Sequence, residues 1–130
     1  MRNLCPCGSR KKYKNCCQPI HHDHSRAKTP EQLMRSRYSA YALGLTDYII
    51  NTYSPEISSK LNRKEIESGT QINWIKLSIK KSQITSENEG YVHFKAFYRE
   101  QGETFVLEER SRFIRIDSSW YYVDGVFPTE

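Results

Sequence analysis

The sequence predicts an α+β fold in which short helices come first and a long-stranded antiparallel sheet follows. Between Thr29 and Gly69, amphipathic segments bounded by capping residues indicate helices. From Ile72 onward, the chain is rich in β-branched and aromatic residues and is divided by three short turns, which is typical of an antiparallel meander. At 130 residues the chain has the length of about one domain.

The first predicted helix has a strong start signal and a clear end. Thr29 suits the N-cap, Pro30 suits the first helical position, and Gln32 completes a capping box. Gly44 ends the segment, since glycine commonly closes helices. Two further short helices are expected, one from the Thr46-Asp47 cap to about Tyr53, before Ser54-Pro55, and one over residues 62–68, before Gly69.

Four strands are expected after the helices. They cover residues 72–84, 91–100, 104–116 and 120–127, and short turns separate them. In the third strand, alternation places Glu108, Arg110 and Arg112 on one face of the sheet. Glu109, Ser111 and Phe113 lie on the other face. Both faces mix apolar and charged residues, so the pattern does not determine which face points inward.

Charge is concentrated at the N-terminus. Residues 1–28 contain seven Lys or Arg and a single acid, Asp23, whereas the remaining chain is nearly balanced. A basic segment of this kind favours contact with nucleic acid, a ribosome or an acidic protein surface, although it is also compatible with a solvated end. No apolar run approaches the length of a membrane span, and no signal peptide is evident, so we expect a cytoplasmic protein without membrane insertion.

All four cysteines fall in one short segment, residues 1–17, which we term the knuckle. Their spacing, Cys-x-Cys-x8-Cys-Cys, predicts that Cys5, Cys7, Cys16 and Cys17 bind Zn²⁺. Gly8 can adopt the positive φ of a tight turn between the two pairs. Four thiolates leave no open coordination position, so the metal would be structural. Disulfides and redox catalysis are the alternatives, but the first would be strained and the second favours a Cys-x-x-Cys motif.

The segment CPCGSRKKYKNCC resembles the SEC-C motif, a short zinc module found in the SecA translocase and in many other proteins. Every ligand position matches, and Arg10 stands where the motif usually has glycine. In SecA such a module contacts an export chaperone and the ribosome, so the resemblance implies a partner-binding role. The His21-His22-Asp23-His24 segment that follows could hold a second metal, but we expect a solvated linker.

The order of elements is similar to the NTF2-like fold, in which helices pack into the concave face of a bent sheet and leave a pocket. Four segments resemble the YchJ-like family of bacterial proteins: LMRSRYSAY (Leu33–Tyr41), DYIINTY (Asp47–Tyr53), ERSRF (Glu109–Phe113) and WYYVDG (Trp120–Gly125). The resemblance implies a SEC-C motif and linker over residues 1–24 and an NTF2-like domain over 25–130. Many members carry a second SEC-C motif; since this chain stops at Glu130, we expect it to use one.

Function is expected to be non-enzymatic. In this hypothesis the knuckle binds a protein or a nucleic acid, with Tyr13 stacking on a base among Lys11, Lys12 and Lys14. The helices and bent sheet of the NTF2-like fold form a cone, which would act as a scaffold or hold a small ligand. The sheet could also pair with that of a second copy to form a homodimer. Tyr13 could equally pack against the zinc loop.

The alternative is an NTF2-like enzyme acting on a small molecule in the pocket. There, His93 would exchange a proton with one of three acids, namely Glu108, Glu109 or Asp124. NTF2-like isomerases and dehydratases use Asp or His in such pockets, but none of their motifs stands at matching positions here. The competing interpretation is a polar network in which Arg35 or Arg37 pairs with one of these glutamates.

Overall fold

The computed structural model describes residues 3–127 and has the predicted α+β architecture. Within this range the helices are α1 (Cys17–His22), α2 (Pro30–Leu43), α3 (Thr46–Asn51), α4 (Pro55–Ser58) and α5 (Arg63–Thr70). The strands are β1 (Asn73–Ser86), β2 (Glu89–Glu100), β3 (Glu103–Ile116) and β4 (Ser119–Val126). None of these helices combines the length and the apolar composition needed to cross a membrane.

The sheet is a four-stranded antiparallel meander in the order β1-β2-β3-β4. Register shifts interrupt β1 at three places, between Trp74 and Lys76, Ile79 and Lys81, and Ile84 and Ser86. One more shift lies in the pairing of β3 with β4. Because an extra residue on one strand bends the ladder and increases its twist, these shifts curve the sheet around the helices.

Helix α2 lies against the concave face and begins as predicted. The hydroxyl of Thr29 accepts a hydrogen bond from the backbone N–H of Gln32 at 3.1 Å. At the other end Gly44 has a φ of 78°, a left-handed conformation that costs glycine little. Pro30 packs so closely on Gly90 of β2 that a Cβ at Gly90 would lie 2.6 Å from Pro30 Cγ. The missing side chain at Gly90 therefore allows the helix to approach the sheet.

The core has two apolar parts. The larger lies between α2 and the sheet and contains Leu33, Tyr38, Phe94, Phe113 and Trp120 among its buried side chains. The smaller lies among the helices and is formed by Ala40, Tyr48, Ile49 and Ile66. Ile20 of α1 contacts both parts, so the residues that follow the knuckle belong to the packed structure.

The second predicted helix ends earlier than expected, and a short helix follows it. α3 stops at Asn51, and Pro55 begins α4 instead of only terminating the preceding helix, because proline is well tolerated at the first helical position. Residues 52–54 between them run beside β4. Tyr122 N–H donates to the carbonyl of Thr52 at 2.8 Å, and Ser54 N–H donates to the carbonyl of Tyr122 at 2.9 Å. This pairing covers part of the β4 edge.

The structure determines which face of β3 points inward. Glu109, Ser111 and Phe113 are buried beneath the helices, with Phe113 fully buried. Glu108 and Arg110 lie on the outer face. The inner face therefore carries a carboxylate and a hydroxyl as well as apolar groups.

Candidate metal centre and cone cavity

The four cysteines of the knuckle come together in space. Their sulfur atoms all lie within 4.8 Å of one another, and those of Cys7 and Cys16 are 3.7 Å apart. A tetrahedral site with metal–sulfur bonds of about 2.3 Å requires sulfur separations of about 3.8 Å. Cys5, Cys7 and Cys17 are buried, and Cys16 is partly exposed. The arrangement is compatible with binding a metal ion through all four residues predicted as ligands.

A small hairpin positions the first pair of cysteines. Leu4 and Lys12 form an antiparallel bridge, and Cys5 N–H donates to the carbonyl of Lys11 at 2.8 Å. The turn between them uses left-handed backbone at two residues, Gly8 with a φ of 83° and Arg10 with a φ of 72°. The first agrees with the sequence prediction. The second explains why glycine suits position 10 of this motif, since a side chain there costs conformational energy.

Helix α2 supplies polar groups to the cysteine cluster. The hydroxyl of the buried Ser39 lies 3.4 Å from the sulfur of Cys17 and 3.4 Å from that of Cys5. Arg35 Nη1 donates to the carbonyl of Cys7 at 2.7 Å. Hydrogen bonds from Cys17 and Cys5 lower the pKa of the Cys7 thiol, which favours the thiolate there. Polar groups of α2 thus reach both the sulfurs and the backbone of the cysteine cluster.

The knuckle is packed against the rest of the domain and is not the solvated end with which its basic charge was also compatible. Its Tyr13 hydroxyl lies 2.7 Å from His21 Nδ1, and His21 Nε2 lies 2.8 Å from the carbonyl of Ser36 on α2. Since a carbonyl only accepts, Nε2 carries the hydrogen and Nδ1 accepts from Tyr13. Burial lowers the pKa of His21, which stabilises this neutral form. His21 therefore links the knuckle to α2.

The histidine segment as a whole is more ordered than a solvated linker. His24 Nε2 donates to the carbonyl of Trp120 at 2.5 Å, and its ring meets Tyr121 edge-on at 4.8 Å. His22 alone of the three is exposed. Among the described residues, the metal-ligating groups that cluster are the four cysteines, and no histidine joins them. These contacts leave no pattern in the sequence, because their acceptors are backbone carbonyls.

A cavity of about 300 Å³ lies between α2 and the concave face of the sheet. Its apolar lining comes mainly from Met34, Tyr38, Trp74, Phe94, Ala96 and Leu107. Its polar lining includes Arg37, Glu109 and Ser111. The fold thus leaves an aromatic pocket with both signs of charge in its wall.

Arg37 is buried in the wall of this cavity, with a relative exposure of 5%. Its Nη1 donates to the carbonyl of Ile49 at 3.0 Å and to the hydroxyl of Thr52 at 2.6 Å. The guanidinium carbon lies 4.5 Å from the ring centre of Tyr53 and 4.6 Å from that of Tyr122. Two aromatic faces and two hydrogen bonds therefore stabilise one buried cation.

Glu109 is the second charged residue of the cavity wall. Its Oε2 accepts hydrogen bonds from the hydroxyls of Ser111 at 2.8 Å and Tyr122 at 2.7 Å. Burial and the nearby carboxylate raise the pKa of Tyr122, so its phenol stays protonated and donates. The carboxylate lies directly against Gly125, where any Cβ would overlap with it. Gly125 thus provides the space in which the carboxylate sits.

The proton-transfer pair suggested by the sequence does not line the cavity. His93 Nε2 and Glu108 Oε2 are 2.6 Å apart, but both lie on the outer face of the sheet. Asp124 is also exposed and pairs with Arg112 at 3.1 Å. The competing interpretation, an ion pair of Arg35 or Arg37 with Glu108 or Glu109, is not found among the described residues. Arg37 and Glu109 do face the same cavity, whereas Arg35 pairs with Glu31 near the knuckle.

Family models match both parts of the chain. The model described as the YchJ middle NTF2-like domain matches residues 29–125, and the SEC-C motif model matches residues 1–19. The helical layer on the curved sheet and the cysteine cluster are the structural counterparts of these two matches. The resemblance that the sequence motifs indicated is confirmed.

Full-length relatives and solved structures agree with the family models. UPF0225 proteins from Vibrio parahaemolyticus and Vibrio vulnificus are 47% and 48% identical over all of this chain and 78% of their own length. The solution structure of a SEC-C motif containing protein from Rhodopseudomonas palustris has a TM-score of 0.90 at 34% identity, covering 99% of this chain and 100% of that one. A crystal structure of a SEC-C motif containing protein from Psychrobacter arcticus gives 0.84 at 28% identity, covering 97% and 83%.

Proposed function

Since the chain belongs to the YchJ family, with a SEC-C motif before an NTF2-like domain, we propose that it binds one structural Zn²⁺ that holds a basic partner-binding loop on this domain. The observation that carries the proposal is the closed cluster of four sulfurs packed against α2. When bound, Zn²⁺ would cross-link the two cysteine pairs. Cys5, Cys7, Cys16 and Cys17 would hold it.

The donor set favours zinc over harder metals. Thiolates are soft ligands, and four of them in a tetrahedral arrangement suit Zn²⁺ or an iron–sulfur centre, whereas Mg²⁺ and Ca²⁺ prefer oxygen. Within the described part of the knuckle, the apolar cluster consists of the cysteines and a partly buried Tyr13, so metal binding would be its main internal link. A full set of protein ligands leaves no position for a reactive water, which supports a structural role.

The experiment that tests the zinc site is metal analysis of protein purified without added metal. We expect about one zinc per chain and no stoichiometric iron. The Cys16→Ser variant should have a lower zinc content, because it removes one of four ligands. Zinc-free protein that keeps four reactive thiols and an ordered knuckle would contradict the proposal.

The basic loop of the knuckle supports a partner with an acidic protein surface. Arg10, Lys11, Lys12 and Lys14 are all exposed, and within residues 3–127 none of them forms an ion pair. Tyr13 is hydrogen-bonded to His21 and packed on the cysteines, so its ring is engaged and the stacking on a base suggested by the sequence loses support. Charge complementarity remains as the recognition chemistry.

We expect a labelled poly-glutamate peptide to bind the protein with an affinity that falls as salt rises. Replacing Lys11, Lys12 and Lys14 with alanine should weaken this binding by about tenfold, since exposed charge pairs contribute modestly. Alanine at Lys60, Lys64 and Lys80 removes the same charge from other exposed positions and is the matched control. Equal losses in the two triple variants would contradict a local site. Tighter binding of an oligouridylate than of poly-glutamate would assign the loop to nucleic acid instead.

A further inference from the structure

We propose that the cone cavity binds a small, planar heteroaromatic molecule that carries both a hydrogen-bond donor and an acceptor on its ring system. The donor would meet Glu109 and the acceptor would meet Arg37. This binding site is separate from the knuckle, and the proposal does not depend on the metal or on the basic loop.

The size and the lining of the cavity select a flat apolar molecule. Its volume of about 300 Å³ is at the lower end for small-molecule pockets, which suits one or two rings. Trp74 lies in an aromatic cluster with Tyr38 and Tyr98, at ring distances of 6.2 Å and 5.3 Å. Phe94 on β2 adds a further aromatic face to the lining. Rigid aromatic walls favour a planar ring over a branched chain.

Both buried charges keep unused hydrogen-bonding capacity. Arg37 uses only Nη1, and Glu109 uses only Oε2, in the hydrogen bonds formed within residues 3–127. In the same range, every completely buried side-chain nitrogen or oxygen has a partner. The free Nε and Nη2 of Arg37 and Oε1 of Glu109 are therefore not completely buried. Both side chains border the cavity, so a molecule bound there lies beside both of them.

The two charges are held at a fixed separation by Tyr122. Its ring lies beneath the Arg37 guanidinium, and its hydroxyl donates to Glu109. The same tyrosine therefore contacts the cation with its ring face and the anion with its hydroxyl. A ligand with only a donor or only an acceptor would add a partner to one of these charges, whereas a donor and an acceptor on opposite sides of one ring add a partner to both. The requirement for both a donor and an acceptor distinguishes the preferred ligand from a purely apolar molecule and from a carboxylate.

The test is calorimetric titration of the full-length protein, with its metal as purified, with three two-ring probes. 4-Quinolone has an N–H and a carbonyl on opposite sides of one ring, naphthalene has neither, and 2-naphthoate has only an anionic acceptor. We expect 4-quinolone to bind about tenfold or more tightly than the other two, because a charged hydrogen bond is lost with each of them. No saturable binding of 4-quinolone up to its solubility limit would overturn the proposal, and so would equal binding of naphthalene.

A matched pair of variants locates the binding. Glu109→Gln presents an amide in place of the carboxylate and should weaken 4-quinolone binding by about tenfold. Glu108→Gln makes the same change on the outer face and should leave the affinity unchanged. An equal effect of the two variants would overturn the assignment to the cavity. The probe series on the wild-type protein decides the question even if Glu109→Gln does not fold.

Discussion

Replacing Cys17 with serine is expected to abolish binding of the proposed zinc ion and to destabilise the whole protein, not only the knuckle. Cys17 is the first residue of α1, has a relative exposure of 1%, and lies beside the Ser39 hydroxyl of α2. In small zinc modules the metal contributes on the order of 10 kcal/mol or more of apparent free energy. We expect the variant to lose at least about 3 kcal/mol of unfolding free energy, since without the metal the knuckle would no longer be cross-linked against α2.

The measurement is zinc content together with thermal unfolding followed by the far-ultraviolet signal of the sheet. A zinc chelator should lower the midpoint of the wild-type protein to that of Cys17→Ser and should not lower the variant further. Lys14→Ser changes an exposed residue of the same segment and should behave like the wild type. A Cys17→Ser protein that retained about one zinc per chain and the wild-type midpoint would show that Cys17 is not a ligand.

Replacing Arg37 with methionine is expected to lower the free energy of unfolding by about 2–4 kcal/mol. Methionine keeps most of the apolar stem but removes both hydrogen bonds from Nη1 and the contacts with the rings of Tyr53 and Tyr122. The carbonyl of Ile49 and the hydroxyl of Thr52 would lose a charged donor. The contacts of Arg37 link α2 to the end of α3 and to β4. Their loss should therefore make the part of the cavity wall around Arg37 less rigid.

Urea unfolding of Arg37→Met and of Arg26→Met separates this effect from a simple loss of charge. Arg26 has a 65% exposed side chain and a single weak ion pair with Asp23 at 3.9 Å. Its replacement should change stability by less than about 0.5 kcal/mol. Similar, small effects of both variants would mean that the cost of dehydrating the Arg37 guanidinium offsets its contacts. That result would contradict the stabilising role assigned to it.

Sequence patterns that span only a few residues correctly predicted much of the fold. The Thr29 cap and Gly44 bounded α2 because capping depends on residues within a few positions of each other. The strands were found near their predicted bounds because alternation and turn residues are also local. The local signals failed near residue 54. There, pairing of residues 52–54 with β4 competed with helix formation, and the partner Tyr122 lies far along the chain.

The cysteine spacing by itself determined which residues could form a metal centre, because four ligands within thirteen residues must meet whenever the turn between them closes. Only the tertiary structure decided where that centre lies. Its burial against Ser39, and the contacts of His21 and His24, depend on residues and backbone carbonyls distant in sequence. The existence of the cavity also depends on tertiary structure, because the curvature of the sheet leaves space beneath α2. Alternation showed that Glu108 and Glu109 face opposite sides, but only packing against α2 placed Glu109 inside.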